Sequence, residues 1–177
     1  MKTEYELRVL EIDSNKLIQK LEKLNAVKKG EYNQKRYVYD LKPAHPGKWI
    51  RLRTNGINTT LTYKDIVTDK IDGTQELEVE VSDFEATNEL LEKMGFKNKG
   101  YQENKRIQYE LNGVEIDIDS WPLIPTYVEI EGKDEQSILE MTKLLELDES
   151  KVTTLDVQSI YQSYGIDLEC MKELKFS

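Results

Sequence analysis

The fold of this chain is decided by a stretch at its N-terminus, Lys2-Thr3-Glu4-Tyr5-Glu6-Leu7-Arg8-Val9-Leu10. Polar and apolar residues alternate along it, and successive side chains of a β-strand face opposite sides of the sheet. The predicted faces are Tyr5, Leu7 and Val9 on one side and Glu4, Glu6 and Arg8 on the other. An antiparallel sheet often leaves one such face in water, so this strand alone indicates only a half-buried sheet.

The same alternation returns along most of the chain and predicts eight strands in all. The seven that follow are 35–40, 49–54, 60–64, 75–81, 105–111, 114–119 and 127–131. Turn dipeptides separate several of them, namely Asn55-Gly56, Asp72-Gly73 and Asn112-Gly113. Four amphipathic helices are predicted near 15–25, 84–94, 135–145 and 155–164. Two prolines and a glycine predict a loop over 42–47, and the tail 170–177 has no clear pattern.

Length and composition set the broad class. A chain of 177 residues predicts one domain, 1–177, with a sizeable core. The formal net charge of -9 argues against a nucleic-acid or anionic membrane surface. One cysteine and one histidine, Cys170 and His45, cannot form a disulfide framework or a Cys/His zinc site. No apolar signal region or membrane-length run is present in the sequence, so a cytoplasmic location is expected.

Nearly every predicted strand has one apolar face and one charged face. The acidic members of the charged faces are Glu4, Glu6, Asp40, Glu76, Glu78, Glu80, Glu110, Glu115, Asp117, Asp119, Glu129 and Glu131. The basic members are Arg8, Arg36, Arg51, Arg53, Lys64 and Arg106. Such strands could form a sandwich with its charged faces in solvent, or a closed barrel with its charged faces in the lumen.

Three features favour the barrel. Four amphipathic helices need an apolar surface to cover, and the outside of an inverted barrel provides one. Acidic triplets such as Glu76, Glu78 and Glu80 are costly on one face without a counter-charge. Positive and negative residues are also segregated by strand. We therefore predict an α+β fold with an eight-stranded, mainly antiparallel closed β-barrel, a charged lumen and helices packed outside.

A lumen with acidic and basic strands suits a divalent cation bridged to a polyanion. Carboxylates are the ligands that Mg²⁺ and Mn²⁺ prefer, and arginine and lysine bind phosphate oxygens. Glu76 and Glu115 lie at strand ends and are expected at the rim, whereas Trp121 is expected in the core.

The ordered set of charged residues resembles the CYTH family, also called triphosphate tunnel metalloenzymes. Its N-terminal signature is E-x-E-x-K, and this chain has Glu4-Tyr5-Glu6-Leu7-Arg8. The resemblance then continues over almost the whole chain through Arg51-Leu52-Arg53, Lys64, Glu78 and Glu80, Lys105-Arg106, Asp117-Ile118-Asp119, Glu129-Ile130-Glu131-Gly132 and Ser163-Tyr164.

The resemblance implies roles for these residues. The implied metal ligands for Mg²⁺ or Mn²⁺ are Glu4, Glu6, Glu129 and Glu131, with Asp117 or Asp119. The implied phosphate-binding residues are Arg8, Arg51, Arg53, Lys64 and Arg106, of which Lys64 and Arg106 are assigned the catalytic role. Glu78 and Glu80 are further candidate acids of the lumen.

Three positions depart from the family pattern. Arg8 replaces the signature lysine, and Asn104 stands where many bacterial members have a second basic residue. Val38 stands where thiamine triphosphatases have a tyrosine, which weakens thiamine triphosphate as the substrate.

The leading functional hypothesis is metal-dependent hydrolysis of inorganic triphosphate or a nucleoside triphosphate. The first alternative is a class IV adenylate cyclase, and the second is a non-catalytic module that binds polyphosphate or nucleotide. The expected partner is a small-molecule triphosphate or nucleotide, with no nucleic acid and no membrane, and a homodimer is left open.

Overall fold

The central feature of the computed structural model, which describes residues 1–177, is a closed ring of eight antiparallel strands. The strands are β1 (Lys2–Val9), β2 (Val27–His45), β3 (Lys48–Thr54), β4 (Thr59–Ile66), β5 (Thr74–Val81), β6 (Asn98–Leu111), β7 (Val114–Ser120) and β8 (Tyr127–Gly132). Around the ring the order is β1-β8-β7-β6-β2-β3-β4-β5, and β5 pairs again with β1. The predicted barrel is confirmed, because each of these strands has a partner on both sides.

Four helices lie on the outside of the barrel, as predicted. They are α1 (Ser14–Lys23), α2 (Phe84–Lys93), α3 (Glu135–Leu144) and α4 (Val157–Ser163). Each begins after an aspartate whose side chain accepts a backbone N–H of the first turn. Fixing these helix starts brings the apolar stripes of the helices onto the barrel wall. None of the helices combines the length and apolar character that a membrane crossing requires.

The apolar faces of the strands point outward and form the core. Leu7 and Val9 of β1 and Ile116 of β7 are buried against Leu21 of α1 and Ile138 of α3. On the other side of the barrel, Tyr39 of β2 and Leu52 of β3 pack with Leu91 of α2. Burial of these side chains stabilises the fold by about 1.5–3 kcal/mol each. The charged faces are consequently left inside.

Two strands are longer than the sequence pattern predicts. β2 covers 19 residues and pairs with β6 from Val27 opposite Glu110 to Tyr39 opposite Asn98. The predicted loop over 42–47 is wrong in part, because residues 42–45 continue β2 and only Pro46-Gly47 forms the turn. These extensions are polar and lack alternation. Backbone pairing between β2 and β6 holds most of these residues extended where side-chain patterning gives no signal, and at the far end of β2 His45 pairs with Lys48 of β3.

The C-terminal tail contributes to the core at one side of the barrel. It forms a 3₁₀ turn over Leu168–Cys170 and a short strand, Glu173–Leu174, that pairs in parallel with β6. A second short strand, Val152–Thr153, pairs with β1. Leu168 and Leu174 pack with Trp121 and with Ile160 of α4. The tail therefore packs α4 against the outside of the barrel.

Candidate active site

The lumen of the barrel contains a cavity of ≈ 800 Å³ lined by the charged strand faces. The predicted site residues that line it are Glu4, Glu6, Arg8, Arg51, Arg53, Lys64, Glu78, Arg106, Asp119, Glu129 and Glu131. Asp117 lies buried behind this lining, in contact with Arg106. Glu80 lies on the same strand face as Glu78 but is exposed beyond the cavity. Strand alternation thus brings most of the predicted set to one chamber.

The ring order sets the acidic strands opposite the basic strands. β8 and β3 are separated by three strands in either direction around the ring, so they occupy opposite walls. β8 carries Glu129 and Glu131, and β3 carries Arg51 and Arg53. β1 lies opposite β2 in the same way. A ligand in the lumen therefore meets carboxylates on one side and guanidinium groups on the other. We call these sides the acidic wall, formed by β1, β8 and β7, and the basic wall, formed by β2 and β3.

Two arginines are held by carboxylates on the acidic side. Arg8 lies 2.5 Å from Glu129 and 3.1 Å from Glu6. Arg106 contacts Asp117, lies 2.5 Å from Asp119 and is 3.1 Å from Glu129. Burial alone would raise the pKa of Glu129, but the charges of Arg8 and Arg106 outweigh it and lower that pKa. These pairs fix the position of both arginines before any ligand binds.

A row of three carboxylates crosses the acidic wall, and the one buried cation paired with it is Arg8, at 3.1 Å from Glu6 and shared with Glu129. Glu131 of β8 is the register partner of Glu6 on β1 and of Glu115 on β7. Like charges directly opposite each other destabilise a sheet. Burial and then the charge of Glu4 raise the pKa of Glu131, and its one ion-pair partner is Lys2, at 3.2 Å and 71% exposed. The row is therefore short of positive charge.

The shortage of positive charge beside these carboxylates allows us to ask whether they fit the predicted metal ion. No three of these side chains are already gathered into a metal-binding cluster in the structure. The donors are nevertheless hard oxygens on adjacent strands, and their negative charge is only partly neutralised. Both properties fit Mg²⁺ or Mn²⁺. Glu115, expected at the rim, lines the cavity and belongs to this row.

Lys64 occupies a separate position on β4. Its ammonium group lies 2.7 Å from Glu4 and 3.5 Å from Glu76. Burial raises the pKa of Glu4 more than Lys64 lowers it. Glu76, also expected at the rim, lines the cavity with a side chain that is only 14% exposed. Lys64 is the cross-strand partner of both Glu76 and Trp49. Because cross-strand partners share a face of the sheet, Glu76 at the N-terminal end of β5 faces the lumen with Lys64.

The basic wall is short of negative charge. Arg51 and Arg53 share one carboxylate, Glu78, at 3.5 Å and 3.9 Å. That carboxylate already accepts a 2.6 Å hydrogen bond from Thr62. Burial and the neighbouring charges of Arg51 and Arg106 lower the pKa of Arg53 to about 10. The folded protein therefore disfavours the charge on Arg53 unless an anion joins it.

Comparison with known proteins agrees with this architecture. The CYTH domain profile matches residues 2–164. The chain belongs to the CYTH family. It is 30% identical over 148 residues to "Putative adenylate cyclase MJ0240" of Methanocaldococcus jannaschii, covering 81% of this chain and 83% of that protein.

Solved CYTH-like structures share the barrel. The PH1012 protein of Pyrococcus horikoshii is 26% identical and superposes with a TM-score of 0.77, covering 86% of this chain and 96% of that one. A Hippeastrum protein, described as a putative adenylyl cyclase with a dominant triphosphatase activity, has a TM-score of 0.61. It is 13% identical, with 93% of this chain and 96% of that one covered, so it supports the fold alone.

Arg36 and Trp121 are among the residues of this CYTH lumen that were not assigned to the site from the sequence. Arg36 and Trp121 both line the cavity, and the guanidinium carbon of Arg36 lies 4.4 Å from the Trp121 ring centre. Trp121 is buried, as expected, but its ring faces the lumen. Alternation had placed Arg36 on the charged face of β2 and could have assigned it. Its contact with Trp121, 85 residues later in the chain, has no local sequence signal.

Proposed function

We propose that this CYTH protein is a divalent-metal-dependent phosphohydrolase that acts on a linear triphosphate. The proposal rests on one observation: the acidic wall and the basic wall face each other across the lumen, and the charge of each is only partly neutralised. The carboxylate row of Glu6, Glu131 and Glu115 is short of positive charge, and the wall of Arg51 and Arg53 is short of negative charge. A metal-bound polyphosphate neutralises both at once.

In this proposal the basic residues bind and orient the phosphate chain. Arg51 and Arg53 lie two residues apart on β3, so both guanidinium groups reach one chain. Lys64 and Arg106 approach from other walls, and the ion pairs that already hold them reduce their freedom to move. Positioned cations of this kind stabilise the charge that develops during phosphoryl transfer.

Carboxylates of β1 and β8 would hold the Mg²⁺ or Mn²⁺. Glu6 and Glu131 are the best placed, with Glu4 and Glu129 beside them on the same strands. Asp117 and Asp119 instead hold Arg106, so we assign them to positioning that arginine. A bound divalent ion would neutralise phosphoryl oxygens on the acidic side of the lumen.

Hydrolysis is preferred because it requires no nucleoside site. Cyclisation of ATP is the second candidate, and Trp49 is the observation that favours it. Trp49 is a half-buried aromatic residue that lines the cavity next to Lys64 in the sheet. Its ring could stack on a base, whereas the face of Trp121 is already covered by Arg36.

Product analysis tests the proposal. Purified protein is incubated with inorganic triphosphate, ATP or thiamine triphosphate, with Mg²⁺ or Mn²⁺, and the products are identified. Orthophosphate with pyrophosphate from triphosphate is the expected result. Cyclic AMP with pyrophosphate from ATP would establish the cyclase instead, and binding without turnover would establish a binding module. Trp49→Leu tests the base contact, because it should weaken turnover of ATP but leave turnover of inorganic triphosphate unchanged.

A further inference from the structure

Arg36 is a buried cation without a carboxylate partner. Its residue is 6% exposed and lines the cavity from β2. Its Nη2 donates a 2.7 Å hydrogen bond to Oδ1 of Asn104 and a 3.4 Å hydrogen bond to Gln34. Its Nε is buried with no acceptor, and so is the indole Nε1 of Trp121 beneath it. Two unpartnered donors therefore lie together in the wall of the lumen.

The position of Arg36 increases the positive charge of the basic wall. Arg36 on β2 is the direct register partner of Arg53 on β3. Cations placed opposite each other across a strand pair repel, and burial increases that repulsion. Burial first, and then the charges of Arg51 and Arg53, lower the pKa of Arg36 well below its usual value. In contrast, the equally buried Arg8 and the partly buried Arg106 are each paired with two or more carboxylates.

Asn104 explains how this cation is held. The amide side chain of Asn104 is neutral and adds no charge to the lumen. Its amide instead bridges two neighbours, since Oδ1 accepts from Arg36 and Nδ2 donates to Asp119 over 3.1 Å. Together with the Trp121 ring, this bridge fixes the guanidinium plane of Arg36.

We propose that Arg36 is a phosphate-binding residue, which adds from β2 a positive charge beside that of Arg53 on β3. Its ligand is a phosphoryl group of the triphosphate, shared with Arg53, so the inference rests on the proposed function. Asn104 and Trp121 are positioning residues that keep the guanidinium group directed into the lumen. A buried cation retained only for stability is expected beside a carboxylate, whereas the hydrogen bonds of Arg36 go to the neutral amides of Asn104 and Gln34.

Calorimetric titration of a methylene-bridged, non-hydrolysable triphosphate into metal-free protein tests the proposal without requiring turnover. Arg36→Gln should bind about 10- to 100-fold more weakly, as expected for loss of a charged hydrogen-bonded contact. The double variant Arg36→Gln/Asn104→Lys returns one cation to the same place and should recover most of the affinity. Lys105→Gln is the matched control, because it removes the same charge from the outside of β6, where Lys105 lies over Phe176.

The melting temperature of the ligand-free variants gives a second readout. Arg36→Gln should melt no lower than wild type, because it removes an uncompensated buried charge. An unfolded or strongly destabilised Arg36→Gln protein would give Arg36 a structural role and overturn the proposal. Wild-type affinity in Arg36→Gln, or no recovery in the double variant, would overturn it as well.

Arg53→Ala separates the failure of this inference from failure of the proposed function. If Arg53→Ala loses affinity while Arg36→Gln does not, the lumen binds triphosphate without Arg36. If both variants bind as tightly as wild type, the basic wall is not a triphosphate site, and the proposed function fails with the inference.

Discussion

Two neighbouring glutamates of β8 should respond in opposite ways to the same substitution. Glu129 lies between Arg8 and Arg106, at 2.5 Å and 3.1 Å, whereas Glu131 lies in the carboxylate row with Glu6 and Glu115. Replacing Glu129 with Gln leaves two buried guanidinium groups with less counter-charge. Replacing Glu131 with Gln relieves repulsion within the row. We therefore expect Glu129→Gln to destabilise the metal-free protein and Glu131→Gln to leave it equal or more stable.

The expected magnitudes follow from burial. The Glu129 side chain is 13% exposed, and breaking a buried ion pair by removing one partner costs about 3 kcal/mol or more. For a chain of this length that corresponds to a fall in Tm of about 6–12 °C. Glu131→Gln gains about 0.5–1 kcal/mol from the two like-charged cross-strand neighbours. It loses the exposed pair with Lys2, worth about 0.2–0.5 kcal/mol, so Tm should rise by about 0–3 °C.

The two effects also have opposite pH signs. The folded pKa of Glu129 lies below the ordinary 4.5, so its stabilising contribution is present above pH 4.5 and is lost as pH falls through the folded pKa. The folded pKa of Glu131 lies above 4.5, so its contribution is present below pH 4.5 and is lost as pH rises through the folded pKa. The deficit of Glu129→Gln should therefore be present at pH 7.5 and shrink only below pH 4.5, whereas the gain of Glu131→Gln should be present at pH 7.5 and be lost once pH has fallen through the raised pKa to 4.5.

Differential scanning calorimetry of wild type and both variants in metal-free buffer, at pH 7.5 and near pH 4, measures these differences. Wild type at each pH is the control, since the other acids of the lumen titrate in all three proteins. Equal shifts in Tm for both variants at pH 7.5 would refute the assignment of Glu129 to an ion-pair network and of Glu131 to a repulsive row.

Three further predictions concern ligand, metal and core. Arg53→Ala should weaken the binding of non-hydrolysable triphosphate about 30- to 150-fold by calorimetry, with Arg53→Lys between it and wild type; equal affinity in all three would remove Arg53 from the site. Turnover of triphosphate should stop in excess chelator and return with Mg²⁺ or Mn²⁺, so full activity in chelator would end the metal assignment. Ile116→Ala on the fully buried outer face of β7 should cost about 2–5 kcal/mol in urea unfolding, and a loss under 1 kcal/mol would contradict the inverted-barrel core.

The barrel could be predicted from the sequence because alternation can be read within each strand, and it determines which side chains must be buried under helices and which must face the lumen. The period of two in β1 separates Leu7 from Glu6, and only a closed barrel with outer helices buries one set and encloses the other. The helix positions followed from the helical spacing of apolar residues, and the structure begins α2 after Asp83 and α3 after Asp134. These signals lie within a few residues of each other, so they can be read without knowing the fold.

Interactions between strands could not be predicted in the same way. The sequence places Glu129 among the acids of the charged faces but does not indicate its partners, which are Arg8 and Arg106. Which carboxylate faces a cation depends on the register between β1, β7 and β8, and alternation does not fix that register. The inward position of Glu115 and the packing of Arg36 on Trp121 also depend on pairings between distant segments.

The place of β1 in the ring has a consequence for how the chain folds. β1 is made first, yet its partners are β5 and β8, and Glu6 pairs with a residue 125 positions later. Contacts of such separation form slowly, because a long loop must be closed before they stabilise the chain. We expect the hairpins of β2 to β5 and of β6 to β8 to form earlier, with β1 joining them in a late step. The carboxylate row would then come together only as the ring closes, so that a nascent or truncated chain lacking β8 has no acidic wall.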